Sequence, residues 1–314
     1  MKKLLSLIIL SYQSEKRLEN TYNRLKKRME DEHIPFEVII MDDGSTDLSF
    51  EIARNIASRN EHVYAYQLSK NYTSPYSQFA GFLVCNGDCA VVVPDDLQRP
   101  IDIIVKMYRH WEAGARLVIA YRLTRNDGII SDWFSRMYYR IMNKYSAVKF
   151  PPGGADGFLA DREVLDVLNK QISHRNTSPI IEALMMGFDP VFIPYDRPVS
   201  DSKSRWGTRK KIKLALNNFF ASSVFPIKLI SFIGFLLFFV SIILALLLIF
   251  AKLFSNNTLF GFPVQGWTTL MVITMFFDGI LLLSVGILAE YIWRIFEEVK
   301  GRPPFIIKKT KNRE

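Results

Sequence analysis

Histidine and cysteine are scarce in this chain, four and two among 314 residues. The sequence offers no His/Ser/Asp constellation, which argues against a mechanism built on an activated serine. Cys85 and Cys89 are separated only by Asn-Gly-Asp. Two soft ligands alone do not make a zinc site, and thiols in a reducing cytoplasm stay unpaired, so both read as ordinary half-buried thiols. No internal repeat and no low-complexity linker interrupts the chain.

Charge is missing altogether from Leu229 to Ala251, and Asp278 is the only charged residue from Pro263 to Ala289. Each run exceeds the roughly 20 residues needed to cross a hydrocarbon core of ~30 Å. A buried hydrophobic hairpin in a soluble protein is the alternative. Asp278 is costly in lipid and is expected to face another helix or a partner subunit. The start, Met1-Lys2-Lys3-Leu4-Leu5, resembles a signal peptide but lacks a small-residue cleavage site, so a first strand is expected there.

Basic residues flank both apolar runs. Lys203, Arg205, Arg209, Lys210, Lys211, Lys213 and Lys228 precede the first, and Arg294, Lys300, Arg302, Lys308, Lys309, Lys311 and Arg313 follow the second. The stretch from Lys252 to Pro263 holds one basic residue. The positive-inside rule then puts both termini in the cytoplasm, on a multi-pass protein of the inner (plasma) membrane. The net charge of +9 is largely this collar, which suits anionic headgroups rather than nucleic acid.

The first two-thirds alternate strands and helices. Strands are expected at 4–12, 36–41, 62–68, 89–93 and 116–121, with helices at 15–31, 48–59, 77–86 and 101–113 between them. That alternation predicts an α/β domain with a parallel, doubly wound sheet. Two strands end in paired acids: Asp42-Asp43-Gly44-Ser45, and Val93-Pro94-Asp95-Asp96-Leu97-Gln98-Arg99-Pro100. Parallel strands end at one edge, so Asp42, Asp43, Asp95 and Asp96 can share a crevice suited to a nucleotide and a hard divalent metal. An acidic turn or helix cap is the alternative for each pair.

These residues also carry a resemblance. Tyr12-Gln13-Ser14-Glu15, Asp42 to Asp47, Asn71, Ala80-Gly81, Gly87-Asp88 and Asp96-Leu97-Gln98-Arg99-Pro100 fall in the order seen in family 2, GT-A-fold glycosyltransferases. With the apolar hairpin, the whole resembles polyprenyl-phosphate glycosyltransferases, similar to dolichyl-phosphate mannose synthases and GtrB-type enzymes, through Lys300-Gly301-Arg302-Pro303-Pro304-Phe305. The resemblance implies a GT-A (Rossmann-like) mixed sheet domain over 1–200. An amphipathic interfacial segment at 201–225 follows, then a transmembrane hairpin at 226–292 (spans about 229–251 and 264–289) and a basic tail at 293–314. It implies a nucleotide-sugar donor, UDP- or GDP-linked, held by Tyr12, Glu15, Asp42, Asp43, Asn71, Asp95 and Asp96. Asp96, Asp95, Asp156 and Gln98 would be catalytic, Asp96 would hold Mg2+ or Mn2+, and the protein would form a homo-oligomer, a tetramer. Two positions depart from the pattern: Pro94 stands where the family's first acid is usual, and Thr73-Ser74 where Gly-Lys is common.

On the acceptor side, Arg122, Arg125, Arg136 and Arg140 lie among aromatics, the last two one helical turn apart. Guanidinium forks suit a phosphate; a solvated basic face is the alternative. Asp156, in the loop Pro151 to Phe158, matches an acid of the family that orients acceptor or sugar, with helix capping as its competitor. Asn176-Thr177 carries the same two readings. Ser204 and Arg205, before Trp206, resemble the family's phosphate-facing segment, and 211–225 alternates basic and apolar faces as an interfacial helix would. The expected reaction is inverting transfer of a sugar to a membrane polyprenyl phosphate (undecaprenyl or dolichyl phosphate). The alternatives are a non-catalytic nucleotide-binding scaffold and a processive polysaccharide synthase, for which one hairpin provides too little protein to line a channel.

Overall fold

The computed structural model describes residues 3–123, 129–146, 148–151, 154–196, 216, 219, 223, 225–254, 258–259, 262–263 and 267–308. The chain divides into two compact units, one comprising residues 1–222 and 301–314 and the other residues 223–300.

The first unit is a seven-stranded sheet with helices on both faces. In chain order it runs β1 (Leu5–Ser11), α1 (Leu18–Asp31), β2 (Phe36–Asp42), α2 (Ser49–Ser58), β3 (Val63–Gln67), α3 (Ser74–Val84), β4 (Cys89–Pro94) and α4 (Ile101–Glu112). It continues through β5 (Leu117–Arg122), α5 (Ile129–Tyr145), β6 (Ala155–Asp161), α6 (Arg162–Lys170), α7 (Pro179–Met185) and β7 (Val191–Tyr195). The strand order is β3-β2-β1-β4-β6-β5-β7. All neighbours are parallel except β6, which runs antiparallel to both β4 and β5. The sheet is mixed, as the family resemblance implies; the five strands expected from alternation run in one direction, and the antiparallel strand is β6, outside that set. The reversal falls at β6, whose Gly-rich approach carries no helix-period signal to give its direction away.

Both sheet faces are buried, which is why the central strands read as continuous apolar runs rather than as alternation. Successive side chains go to opposite faces. Leu7, Ile9, Val38, Ile40, Val91 and Val93 join one core with α1, α2 and α4, while Ile8, Ile39, Met41, Ala90 and Val92 join another with α3 and α6. Each such Leu, Ile or Val stabilises the fold by about 1.5–3 kcal/mol. Helix α1 shows the matching stripe, burying Leu18, Tyr22, Leu25 and Met29. It starts three residues later than expected, because 15–17 turn around the end of β1. Cys85 and Cys89 are free thiols, fully rather than half buried, and burial pushes both above the ordinary thiol range.

The segment from Gly301 returns to this unit's edge. Ser69 N donates to Ile306 O (2.8 Å) and Lys308 N to Gln67 O (2.8 Å), extending the sheet beyond β3 by a single bridge. Phe305 is buried with its ring stacked on His174, which in turn stacks on Phe79.

The second unit contains α8 (Phe225–Phe254), a two-stranded ribbon of β8 (Thr258–Leu259) and β9 (Phe262–Pro263), and α9 (Trp267–Val299). Tyr291 Oη donates to Ser223 O at 3.0 Å. Among the described residues one helix segment, Phe276–Val299, is long and apolar enough to cross a membrane, and Phe225–Leu237 is a shorter apolar stretch. That segment overlaps the expected second span over 276–289, within a helix that covers 267–299.

Candidate active site

The carboxyl ends of β2, β1 and β4 are level: Ser11 pairs with Asp42 and Leu10 with Pro94. Neighbouring strands lie about 4.8 Å apart, so the two acid pairs start about 10 Å from each other with the exit of β1 between them. That exit loop ties them together. Gln13 N donates to Ser45 Oγ (3.0 Å), Ser14 N to Ser49 Oγ (2.6 Å), and Ser14 Oγ to Asp95 Oδ2.

The four acids do different things. Asp42 is fully buried; its carboxylate accepts from Ser45 N (2.9 Å), Ser45 Oγ (2.5 Å) and Gln67 Nε2 (3.0 Å). It holds the turn that opens toward α2. Asp43 accepts from Tyr72 N (2.8 Å) and Thr73 N (3.0 Å). Burial pushes its pKa up to about 6, against the pull of those hydrogen bonds. Gly44, directly after Asp43, has φ +68°, and a Cβ there would lie 2.6 Å from the Lys70 carbonyl carbon. Only glycine lets the 70–73 loop close over this turn.

Asp95 is also buried, and its cation is Arg17, whose Nη2 lies 2.9 Å from Oδ2. Asp96 differs. Its Oδ2 accepts from Gln98 Nε2, but its Oδ1 is buried with no hydrogen-bond partner among the described residues. An orphaned carboxylate oxygen costs about 1–3 kcal/mol or more unless a ligand completes it. The adjacent carboxylates therefore do not share one cation: Arg17 neutralises Asp95, and Asp96 keeps the open oxygen.

Further along the same edge, Asp156 at the start of β6 accepts from Arg122 Nη2 at the end of β5 and from Tyr195 Oη at the end of β7. Arg99, 4% exposed, donates through Nη2 to Val92 O.

The profile of "Glycosyl transferase family 2" matches residues 6–168, which spans β1 to α6 and both acid pairs. The chain belongs to glycosyl transferase family 2. It is 30% identical over 97% of its length to an uncharacterized glycosyltransferase of Bacillus subtilis (strain 168), covering 93% of that protein. It is 29% identical to the SfII prophage-derived bactoprenol glucosyl transferase of Shigella flexneri, covering 98% of both chains. A glucosyl-3-phosphoglycerate synthase of Mycobacterium tuberculosis, crystallised with Mn2+, UDP-glucose and phosphoglyceric acid, superposes with a TM-score of 0.45 and 16% identity over 65% of this chain and 73% of that one.

Within this family 2 fold, the other expected site residues divide. Tyr12 sits half-buried in the β1 exit loop. Glu15 accepts from Leu48 N at 3.4 Å. Asn71 is exposed, with Oδ1 accepting from Thr73 N. Arg136 and Arg140 are exposed on α5, away from any ion pair among the described residues. Thr177 Oγ1 donates to Glu182 Oε1 (2.6 Å), and α7 begins after Ser178 without a side-chain cap. Arg125, Ser204, Arg205 and most of 211–225 lie outside the described residues.

Sequence reasoning missed Arg17, Ser14, Arg99 and Tyr195. Arg17 carried a readable signal, since two adjacent acids need a nearby cation. Tyr195 carried none: it meets Asp156 only because β5, between β6 and β7, brings three strand ends together.

Proposed function

We propose that this family 2 enzyme transfers one sugar, with inversion, from a UDP- or GDP-linked donor to a polyprenyl phosphate such as undecaprenyl phosphate. The observation that carries the reading is the open Oδ1 of Asp96 at the sheet edge. It is supported by full-length similarity to bactoprenol glucosyl transferases.

The donor edge would hold the nucleotide-sugar between the β1 exit loop and the 70–73 loop. Asp43 fixes the latter, while Asp42 and Asp95 brace the turns beneath. A phosphate monoester has a second pKa near 6, so at neutral pH it attacks the anomeric carbon without a strong general base. The chain's task is to position that phosphate and to stabilise the departing diphosphate.

No cluster of three or more metal-ligating side chains occurs among the described residues. The donor set nevertheless fits Mg2+ or Mn2+, which commonly take one or two protein carboxylates and complete their shell with phosphate and water. Asp96 would hold the ion, and the ion would neutralise diphosphate charge as it develops. Gln98 keeps the Asp96 carboxylate oriented.

Membrane residence is part of the proposal. Helices α8 and α9 contain 30 and 33 residues, and at 1.5 Å per residue they reach about 45 and 50 Å, enough for two crossings and a cytoplasmic catalytic domain. The domain limits given above, an inner-membrane location and a tetramer belong to the same reading.

Purified protein in detergent, given undecaprenyl phosphate and a panel of radiolabelled UDP- and GDP-sugars with and without manganese, should yield a lipid product carrying one sugar. Absence of product from every donor would remove the reading, and a ladder of products would replace it with polymerisation.

A further inference from the structure

Three buried N–H groups have no partner among the described residues: Arg99 Nε, Arg99 Nη1 and Arg122 Nε. Both arginines act on one carboxylate, Arg122 by an ion pair and Arg99 through its charge. The carboxylate is Asp156, both of whose oxygens are already engaged, by Arg122 and Tyr195. Two guanidinium groups against one acid leave this node with a net charge of +1. Burial lowers the pKa of Arg99 and the Asp156 charge raises it; a guanidinium stays protonated at any physiological pH.

The position of Arg99 is built rather than incidental. The β4–β6 ladder has three rungs, ending at Val91–Leu159. The next carbonyl of β4, that of Val92, accepts from Arg99 Nη2 instead of from β6. The guanidinium thus fills the fork where β6 leaves β4. Its close neighbour there is Gly157, where an added Cβ would overlap Arg99 Nη1. A buried cation with idle donors is a poor way to gain stability, since an apolar residue of similar volume is often neutral or better.

We propose that Arg99 is a positioning residue for the acceptor phosphate. Its buried charge acts on Asp156 through space; Asp156 in turn holds Arg122, the partly exposed arginine of the pair (16% side-chain exposure). The surplus positive charge is then offset when a phosphate anion arrives. The inference rests on the transfer reading above and adds to it a residue that follows directly on the Asp-Leu-Gln segment. Two phosphate sources are available, the lipid monoester and the donor diphosphate, and the assignment here is to the lipid.

The test measures kcat and separate KM values for undecaprenyl phosphate and UDP-glucose on the full-length protein, together with its thermal midpoint. Arg99→Met keeps the stem and removes the charge. It should raise the lipid KM about tenfold, equivalent to 1.4 kcal/mol, with the donor KM within about twofold and the thermal midpoint unchanged or higher. Arg99→Lys, which restores charge without the fork, should recover part of the loss, and Gly157→Ala, which evicts the guanidinium, should reproduce Arg99→Met. An unchanged lipid KM in Arg99→Met overturns the inference. So does a rise confined to the donor KM, or a fall in kcat and thermal midpoint together with both KM values intact. A wild-type protein that transfers sugar while Arg99→Met behaves normally sinks this inference alone; a wild-type protein that transfers nothing to lipid phosphate sinks the reading beneath it as well.

Discussion

Asp42 and Asp156 are both acids at one edge of one sheet, yet they are held in opposite ways. Asp42 takes its partners from neighbouring turns of a parallel βαβ layer, Ser45 and Gln67, and every contact is a neutral donor. Asp156 takes its partners from two other strand ends, the Arg122 cation and the Tyr195 hydroxyl, with the buried Arg99 charge acting on it and idle N–H groups on both arginines. On the β1–β2–β4 side Asp42, Asp43 and Asp95 have their carboxylates engaged within the fold, and the orphaned buried atoms among the described residues are Ser11 Oγ, Arg17 Nε and one acid oxygen, Asp96 Oδ1. The β5–β6–β7 side is satisfied only when an anion is added. A satisfied frame gives rigidity; an unsatisfied node gives affinity.

Asp96 is the exception on the satisfied side, so it provides the harshest way to break the comparison. Asp96→Asn can turn its amide oxygen to Gln98 and its nitrogen to the vacant position, which keeps the fold while removing the charge. Turnover should fall about a thousandfold, the scale of losing a principal electrostatic stabiliser. Mn2+ affinity, read by electron paramagnetic resonance, should fall with it while the thermal midpoint holds. Full turnover in this variant would make Asp96 one more structural acid.

The contrast also explains what the sequence made legible. The Asp-Asp-Gly-Ser turn and the Asp-Leu-Gln segment are local: the residues that act lie within a few positions of one another, at the end of strands announced by Val and Ile runs. Their placement at one edge follows from parallel pairing alone. The direction of β6 does not, because a Gly- and Pro-rich entry can precede a strand of either sense. Arg122 was readable as a cation near a loop, whereas its meeting with Asp156, alongside Tyr195 and Arg99, depends on a non-local strand order. Arg17 stands between, two residues after a quoted segment and recoverable from charge balance. Asp95 and Asp96 lie in the turn after β4, closed by Leu97 N donating to Pro94 O (3.2 Å), and there the pair divides between Arg17 and Gln98.

A middle-sized effect is expected from Gly44→Ala, which attacks the frame rather than its open oxygen. The left-handed φ of +68° costs an alanine about 1 kcal/mol or somewhat more. The 2.6 Å approach to the Lys70 backbone forces the 70–73 loop outward in addition. Together these should lower stability by about 2–4 kcal/mol, seen as a lower urea midpoint with an unchanged slope, and should weaken UDP binding in calorimetry. If stability drops while UDP affinity is untouched, the 70–73 loop is not part of the donor site.

The smallest effect, and the one that best separates frame from node, is a pH dependence. Burial holds the folded pKa of Asp43 near 6, whereas an unfolded chain ionises aspartate near 3.9. Between those values the folded protein keeps a proton that the unfolded chain has lost. Asp43 thus contributes stability that is fully present below about pH 4 and is lost as pH rises through about 6. Asp43→Asn cannot titrate, so wild type minus variant should show urea stability declining from pH 4 to 6 and flat from 6.5 to 8. Protonation also removes charge from the acceptor of Tyr72 N and Thr73 N, so amide exchange at those two residues should speed up below pH 6 after correction for intrinsic rates. A flat difference curve would mean that Asp43 is ionised throughout, and its carboxylate would then rank with Asp96 as an available anion rather than with Asp42 as part of the frame.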